Sequence, residues 1–291
     1  MSLKSILESG KFVVTTEVAP PKGTDVGEVK LLGERLKGWV DAVNVTDQQS
    51  AVMRLGSLAT CSLLKEVGIS PVFQMACRDR NRIALQSDLL SAWVMGIEDV
   101  LVLTGDLPEL GDHPAAKPVF DLDSISLLNA IQKLNSGYDM VGNELDGKTD
   151  FFAGAVVNPG TNTKEQFELQ VVKMEKKVAA GAKFFQTQAI YDPALLEKFM
   201  KRVAYLNVPV LAGVIPVKSV KMAKYMNDYI AGIQVTDTIM NRLAVTEDKA
   251  QTGMDIAAEL IKQFQGLCQG VHLMAIGWER KVPAILDAAG L

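Results

Sequence analysis

The chain has 291 residues, 48% of them hydrophobic, with 34 acidic and 30 basic side chains and a formal net charge of −4. That length suits one barrel of roughly 250 residues with extensions, or two ordinary domains. The charge is nearly balanced and forms no block of one sign, and no apolar run approaches the ~18 residues of a membrane span, so neither a nucleic-acid nor a membrane partner is expected.

Residues 1–11 lack the apolar stretch of a signal peptide, and a cytoplasmic location is expected. The first strand is expected at 12–18, the second at 40–46 and the third at 71–77. A helix over 81–95 follows, with Leu85, Leu89 and Trp93 on one stripe. The fourth strand falls at 99–104, before a Pro- and Gly-rich connection at 107–118. The fifth falls at 151–157. Phe167, Val171, Met174 and Val178 then recur at helical spacing over 164–180, and Gly181 stops that helix. Strands at 184–188 and 208–214, a less regular connection at 231–248 and a strand at 271–277 complete the chain. The strands are mostly apolar and rich in Val, Phe and Leu, as parallel strands covered on both faces require. Eight such strands with helical connections predict an α/β fold, a (β/α)8 TIM barrel in one domain over 1–291. The rival, a doubly wound sheet, is disfavoured because no G-x-G-x-x-G follows any strand.

In such a barrel, reactive groups sit where strands end and the next loops begin. Those points carry Glu17, Thr46 with Asp47, Gln74 with Arg78 and Asp79, Asp106, Asn158, Gln188 and Glu279. Glu17 lies between an apolar strand and Pro20-Pro21, where a carboxyl is partly withdrawn from water and suited to proton donation. Read alone, it also fits a salt-bridged or dipole-facing carboxylate. Gly105 permits a tight turn or the close approach of a flat ligand, and Asp106 also fits a turn cap. Gln188 offers an amide that donates and accepts, useful at a heterocycle edge, or simply a satisfied strand end. His272 reads as a core residue, and with two histidines in the chain no histidine metal site is expected. Cys61, Cys77 and Cys268 are scattered and read as free thiols, giving neither a disulfide framework nor a cluster of the chain's own. The basic candidates for a phosphate are Arg78, Arg80, Lys176 and Lys177. The last two also fit a solvated helix end.

Several motifs in this order resemble the methylenetetrahydrofolate reductase family over nearly the whole chain. They are Thr-Thr-Glu-Val-Ala-Pro-Pro at 15–21, Asn-Val-Thr at 44–46, Cys-Arg-Asp-Arg-Asn at 77–81 and Thr-Gly-Asp-Leu-Pro at 104–108. Lys-Val-Ala-Ala-Gly-Ala at 177–182, Thr-Gln at 187–188 and Gly-Val-Ile-Pro-Val at 213–217 complete the set. The resemblance implies a (β/α)8 barrel with a non-covalent flavin at its C-terminal face, FAD by family habit. It implies reduction of 5,10-methylenetetrahydrofolate to 5-methyltetrahydrofolate. Glu17 matches the general acid that protonates the bridging nitrogen. Asp106 matches the carboxylate near flavin and pterin, where it favours a developing cation. Gln188 matches the amide that holds the pterin, with Tyr191 and Asp106 as further substrate contacts. Thr46, Gln74, Thr104, Gly105, Asp106, Phe120, Asn158 and Lys177 match flavin-contacting positions.

The sequence departs from the family pattern in places. Thr104 stands where Arg is frequent, and Asn158-Pro159-Gly160 where an aromatic and a His often flank the adenine of FAD. Met226, with Tyr225 beside it, stands where an aromatic meets the nicotinamide, and Gly277-Trp278-Glu279 where Asn-Arg-Glu is usual. These changes leave FMN as an alternative to FAD. They also favour an iron–sulfur partner subunit as electron source, as some bacterial members of the family use. A pterin-binding methyltransferase barrel and a flavin-carrying electron-transfer subunit are the other readings, and a homo- or hetero-oligomer is open.

Overall fold

The computed structural model describes residues 2–161 and 163–291. Eight parallel strands pair in sequence order: β1 (Val13–Val18), β2 (Ala42–Val45), β3 (Pro71–Ala76), β4 (Asp99–Leu103), β5 (Phe152–Val157), β6 (Phe184–Ala189), β7 (Val210–Val214) and β8 (Gly270–Leu273). β8 returns to β1, with Thr15 opposite His272, and closes the barrel. Helix α1 (Leu3–Glu8) precedes β1. The strands β1 to β6 are followed in turn by α2 (Gly27–Leu36), α3 (Ser57–Glu66), α4 (Arg82–Val94), α5 (Ser124–Asn135), α6 (Lys164–Ala179) and α7 (Pro193–Val203). Between β7 and β8 lie α8 (Val220–Tyr229), α9 (Asp237–Val245) and α10 (Lys249–Phe264), and α11 (Val282–Ala289) closes the chain. This is the (β/α)8 barrel that the strand pattern predicts.

Residues two apart on a strand share a face, and that rule builds the interior in layers. On the outer face Val14, Val18, Val43, Val45, Phe73 and Met75 pack against the helices in one large core. On the inner face the floor is apolar. Val13, Ala42, Val72, Leu101, Phe184 and Leu211 meet Leu3, Ile6 and Leu7 of α1, which shuts the N-terminal end. The Phe184 ring stacks on Phe152 at 5.3 Å between centroids. Glycine is required at Gly154, because a Cβ there would enter the Phe184 ring. Burying that phenyl group contributes roughly 1.5–3 kcal/mol. One step higher the interior turns polar, with Thr15, Asn44, Gln186 and His272 all buried. The top layer, Glu17, Gln74, Gln188 and Met274, opens to solvent.

Two expectations from the sequence change. The connection at 231–248 contains α9, whose N-cap Thr236 accepts from the Ile239 N–H and whose Ile239 and Leu243 are buried one turn apart. Two apolar positions are too short a period to stand out in the sequence. The last strand ends at Leu273, short of 277, because Ile276 and Gly277 take left-handed φ of 44° and 79° and lead the backbone out of the sheet. Among the described residues no helix is long and apolar enough to cross a membrane.

Candidate active site

A cleft of about 520 Å³ opens at the C-terminal ends of the strands, the end at which TIM barrels carry their reactive groups. Glu17 enters it from β1, Gln74 from β3, Gln186 and Gln188 from β6, and His272 from β8. The loops after β4 and β5 supply Thr104, Gly105, Asp106 and Asn158, and α6 supplies Lys173 and Lys177.

Glu17 follows Val13 and Thr15 along the inward face of β1, so it stands where the packed interior meets the cleft. It is 8% exposed, and its Oε2 lies 3.8 Å from His272 Nε2. The carboxyl is thus mostly out of water yet open on the cleft side, where a bound ligand can reach it. Beneath it, Asn44 and Gln186 exchange reciprocal amide hydrogen bonds of 2.8 and 3.1 Å. Gln186 also donates to Thr15 Oγ1 at 3.4 Å. Every buried amide group in this floor therefore has a partner, which holds the top layer in one arrangement.

Gly105 has φ +95°, and a Cβ there would lie 3.0 Å from Arg78 Cβ, so both backbone and packing demand glycine. Arg78, although a candidate for a phosphate, is buried and fully committed. It donates to the Asp79 carboxylate at 2.8 and 2.7 Å, and to the carbonyls of Asp106 and Gln48 at 3.2 Å each. It thereby staples three loops of the cleft rim. Arg80 is likewise held by Asp47 and Asp88. Lys176 does not line the cleft, whereas Lys177 does. Its Nζ donates to the Val156 carbonyl at 2.7 Å. Burial, with Lys173 nearby, pulls the amine down to about 8. An anion placed against these two lysines would favour the charged form again.

Of the residues singled out in the sequence, Glu17, Gln74, Thr104, Gly105, Asp106, Asn158, Lys177 and Gln188 converge on this cleft. Thr46 lies buried at the end of β2, and its Oγ1, like Asn158 Oδ1, is buried without a partner. Phe120 is half-buried with φ 39° and does not line the cleft. Tyr191 does not line it either. It is 4% exposed, and its hydroxyl donates to the Ile215 carbonyl at 2.8 Å. Burial raises that phenol far above its ordinary pKa. A tyrosine just past a strand end looks like a mouth residue, but this one turns outward and ties β6 to the loop after β7.

His272 is the opposite case. It reads as a core residue, and at 3% exposure it is buried, yet it faces Glu17 across the cleft floor. The spacing His272-Leu273-Met274 carried the signal. Once β8 pairs with β1, its inward positions continue the row of Thr15 and Glu17.

The sequence profile of the methylenetetrahydrofolate reductase family matches residues 2–290. Methylenetetrahydrofolate reductase 2 of Schizosaccharomyces pombe is 27% identical over 237 residues, covering 77% of this chain and 36% of that one. A methylenetetrahydrofolate reductase (NADH) of Arabidopsis thaliana is 24% identical, over 99% of this chain and 50% of its own. The chain thus spans half or less of those two relatives. The 5,10-methylenetetrahydrofolate reductase of Salmonella typhimurium is 22% identical, covering 87% of this chain and 82% of that one. Among solved structures, an uncharacterized Clostridium thermocellum protein described as binding two copies of 5-methyl-5,6,7,8-tetrahydrofolic acid superposes with TM-score 0.68 at 17% identity. That likeness covers 99% of this chain and 98% of the other. A 2,3-dimethylmalate lyase shares the fold at TM-score 0.56 and 11% identity, covering 98% of this chain and 84% of its own. The barrel alone therefore does not define a chemistry.

Proposed function

Because the chain belongs to the methylenetetrahydrofolate reductase family, we propose that it reduces 5,10-methylenetetrahydrofolate to 5-methyltetrahydrofolate, with Glu17 as the proton donor and a non-covalent flavin as the hydride source. The observation that carries this reading is Glu17 itself, a nearly buried carboxyl at the floor of a cleft rimmed by amides, a carboxylate and two lysines. The bound flavin supplies hydride from its reduced ring.

The donor set suits that group. Lys177 and Lys173 offer positive charge for a phosphate, and the depressed Lys177 amine gains from an anion beside it. Gln74 offers amide atoms for the ring edge, with Thr104 and Gly105 lining the same cleft, whereas the Asn158 amide already donates to the Ala231 carbonyl at 2.8 Å. Thr46 Oγ1 and Asn158 Oδ1 also lack partners, but both are buried and Thr46 does not line the cleft. FAD follows the family, and FMN is the alternative. Releasing the chromophore by heat and identifying it decides between them.

In this reading Glu17 gives its proton to the bridging nitrogen of the folate, which opens the ring. Asp106, exposed at the rim, supplies a fixed negative charge that favours the cation developing on the substrate. Gln188 holds the pterin edge by an amide that both donates and accepts. The Clostridium thermocellum relative's affinity for 5-methyltetrahydrofolate supports the substrate class. An iron–sulfur partner subunit is the proposed electron source, and rapid oxidation of NADH by the isolated chain would remove the reason for it.

Glu17→Gln tests the assignment. The variant should retain flavin and folate binding and lose turnover by roughly 10²–10⁴-fold, the range of general acid catalysis. Undiminished turnover with methylenetetrahydrofolate would refute it. The second reading is a pterin-binding methyltransferase barrel without flavin. A purified protein carrying a stoichiometric flavin chromophore excludes that reading.

A further inference from the structure

The proton that Glu17 gives away has to be replaced before the next turnover, and the groups beneath the cleft are arranged to replace it. His272 Nδ1 lies 2.9 Å from Thr15 Oγ1. That hydroxyl donates to the Val271 carbonyl at 3.3 Å and accepts from Gln186 at 3.4 Å. A hydroxyl has one proton to give and two lone pairs to offer. The direction of the Nδ1 contact follows the imidazole tautomer: with the Thr15 proton on Val271 and one lone pair taken by Gln186, His272 Nδ1–H donates to Thr15. The exchangeable proton of the imidazole is then the one on Nε2, the nitrogen that faces Glu17 Oε2 at 3.8 Å. Hydrogen-bond contact is about 1 Å closer, within reach of a small side-chain rotation. Both side chains also line the cleft, so water reaches them from that side.

We propose that His272 is the proton store of the site, positioned by Thr15 to reprotonate Glu17 after each turnover. This rests on the reading of Glu17 as the acid. The Glu17 O–H bond breaks as the substrate N–H bond forms. The Nε2–H bond of the His272 imidazolium then breaks as the Glu17 O–H bond is restored, and the neutral Nδ1–H imidazole is recharged by a proton from solvent hydronium or buffer acid entering through the cleft. Glu17 on β1 is the titratable group in ion-pair range of His272. On its other flank β7 presents Gly213 opposite it. The remaining charged groups of the cleft are Asp47, Arg78, Asp106, Lys173 and Lys177.

Two measurements test this. The first uses no turnover. The chain has two histidines, and His113 is exposed, so ring-¹⁵N-labelled protein gives two separable signal sets. The neutral His272 ring should carry its proton on Nδ1, and Glu17→Gln should move the His272 Nε2 resonance and leave His113 unmoved. A neutral ring protonated on Nε2, or a His272 signal indifferent to Glu17→Gln, overturns the proposal. The second is multiple turnover by the flavin-loaded protein, with reduced viologen as electron donor. His272→Asn should complete its first turnover at the rate of the unsubstituted protein and then slow by at least tenfold. Imidazole added to His272→Ala should restore the later turnovers. Equal slowing of first and later turnovers, or no slowing, refutes it. Turnover that survives Glu17→Gln removes the underlying reading. Turnover lost in Glu17→Gln with His272→Asn unaffected removes this inference alone.

Discussion

Asp99 gives a direct test of the interior electrostatics. It stands at the start of β4, at the floor of the barrel, and is 2% exposed. It accepts a hydrogen bond from the Leu3 backbone, and its Oδ1 has no partner. Burial, assisted by Glu98, pushes its carboxyl up to about 7 from an ordinary 3.8. A carboxyl raised on folding favours the native state below 3.8, and that contribution is lost as pH climbs toward 7. Integrated over the pH range, ionisation opposes folding by roughly 1.5–2 kcal/mol at pH 5 and by roughly 4 kcal/mol at pH 8. Asp99→Asn stays neutral throughout and keeps an oxygen for the Leu3 N–H. Its intrinsic packing effect is the same at both pH values and cancels in the comparison. The substitution should therefore stabilise the protein by about 2–3 kcal/mol more at pH 8 than at pH 5, read from urea unfolding midpoints and slopes. Identical effects at the two pH values would show that the buried carboxylate is compensated in a way this geometry does not contain, and would refute the reasoning.

The remaining expectations concern the mouth and the floor. Lys177 loses its charge above about 8, so the affinity for FMN or FAD, followed by fluorescence quenching, should fall by about tenfold per pH unit above that point. Lys177→Arg should flatten the dependence, and a flat profile in the unsubstituted protein would remove Lys177 from the phosphate site. At the floor, Gly154→Ala drives a methyl into the Phe184 ring and should cost about 1–3 kcal/mol. Adding Phe184→Leu should recover part of that loss, as urea melts of the two variants would show. If the double substitution is merely additive, the two side chains do not share that space.

The cleft was legible to the extent that its residues lie near strand ends. Glu17 and Gln188 are the penultimate residues of β1 and β6, Gln74 lies in the C-terminal half of β3 and Gly105-Asp106 follows β4, so strand ends together with barrel topology bring them to one face. Tyr191 shows the limit of that argument. It also follows a strand end, but the register shift between β6 and β7 around residues 186–189 accompanies an outward turn that a linear pattern does not record. Arg78 and Arg80 show another limit. A basic residue beside a strand end suits a phosphate equally well until the carboxylates and carbonyls around it are placed, and here they consume it.

By itself the sequence determined the parallel eight-stranded architecture, because hydrophobic runs, breaks and helical periods are local and repeat along the chain. It also determined that a carboxyl would stand at the end of the first strand. Tertiary structure decided which face of each strand looks inward and what stands across the barrel from it. The pairing of Thr15 with His272, the amide exchange between Asn44 and Gln186, and the apolar seal made by α1 join residues far apart in the chain. Their meeting depends on strand register and barrel closure, and a shift of one residue would turn each inward side chain out of the interior.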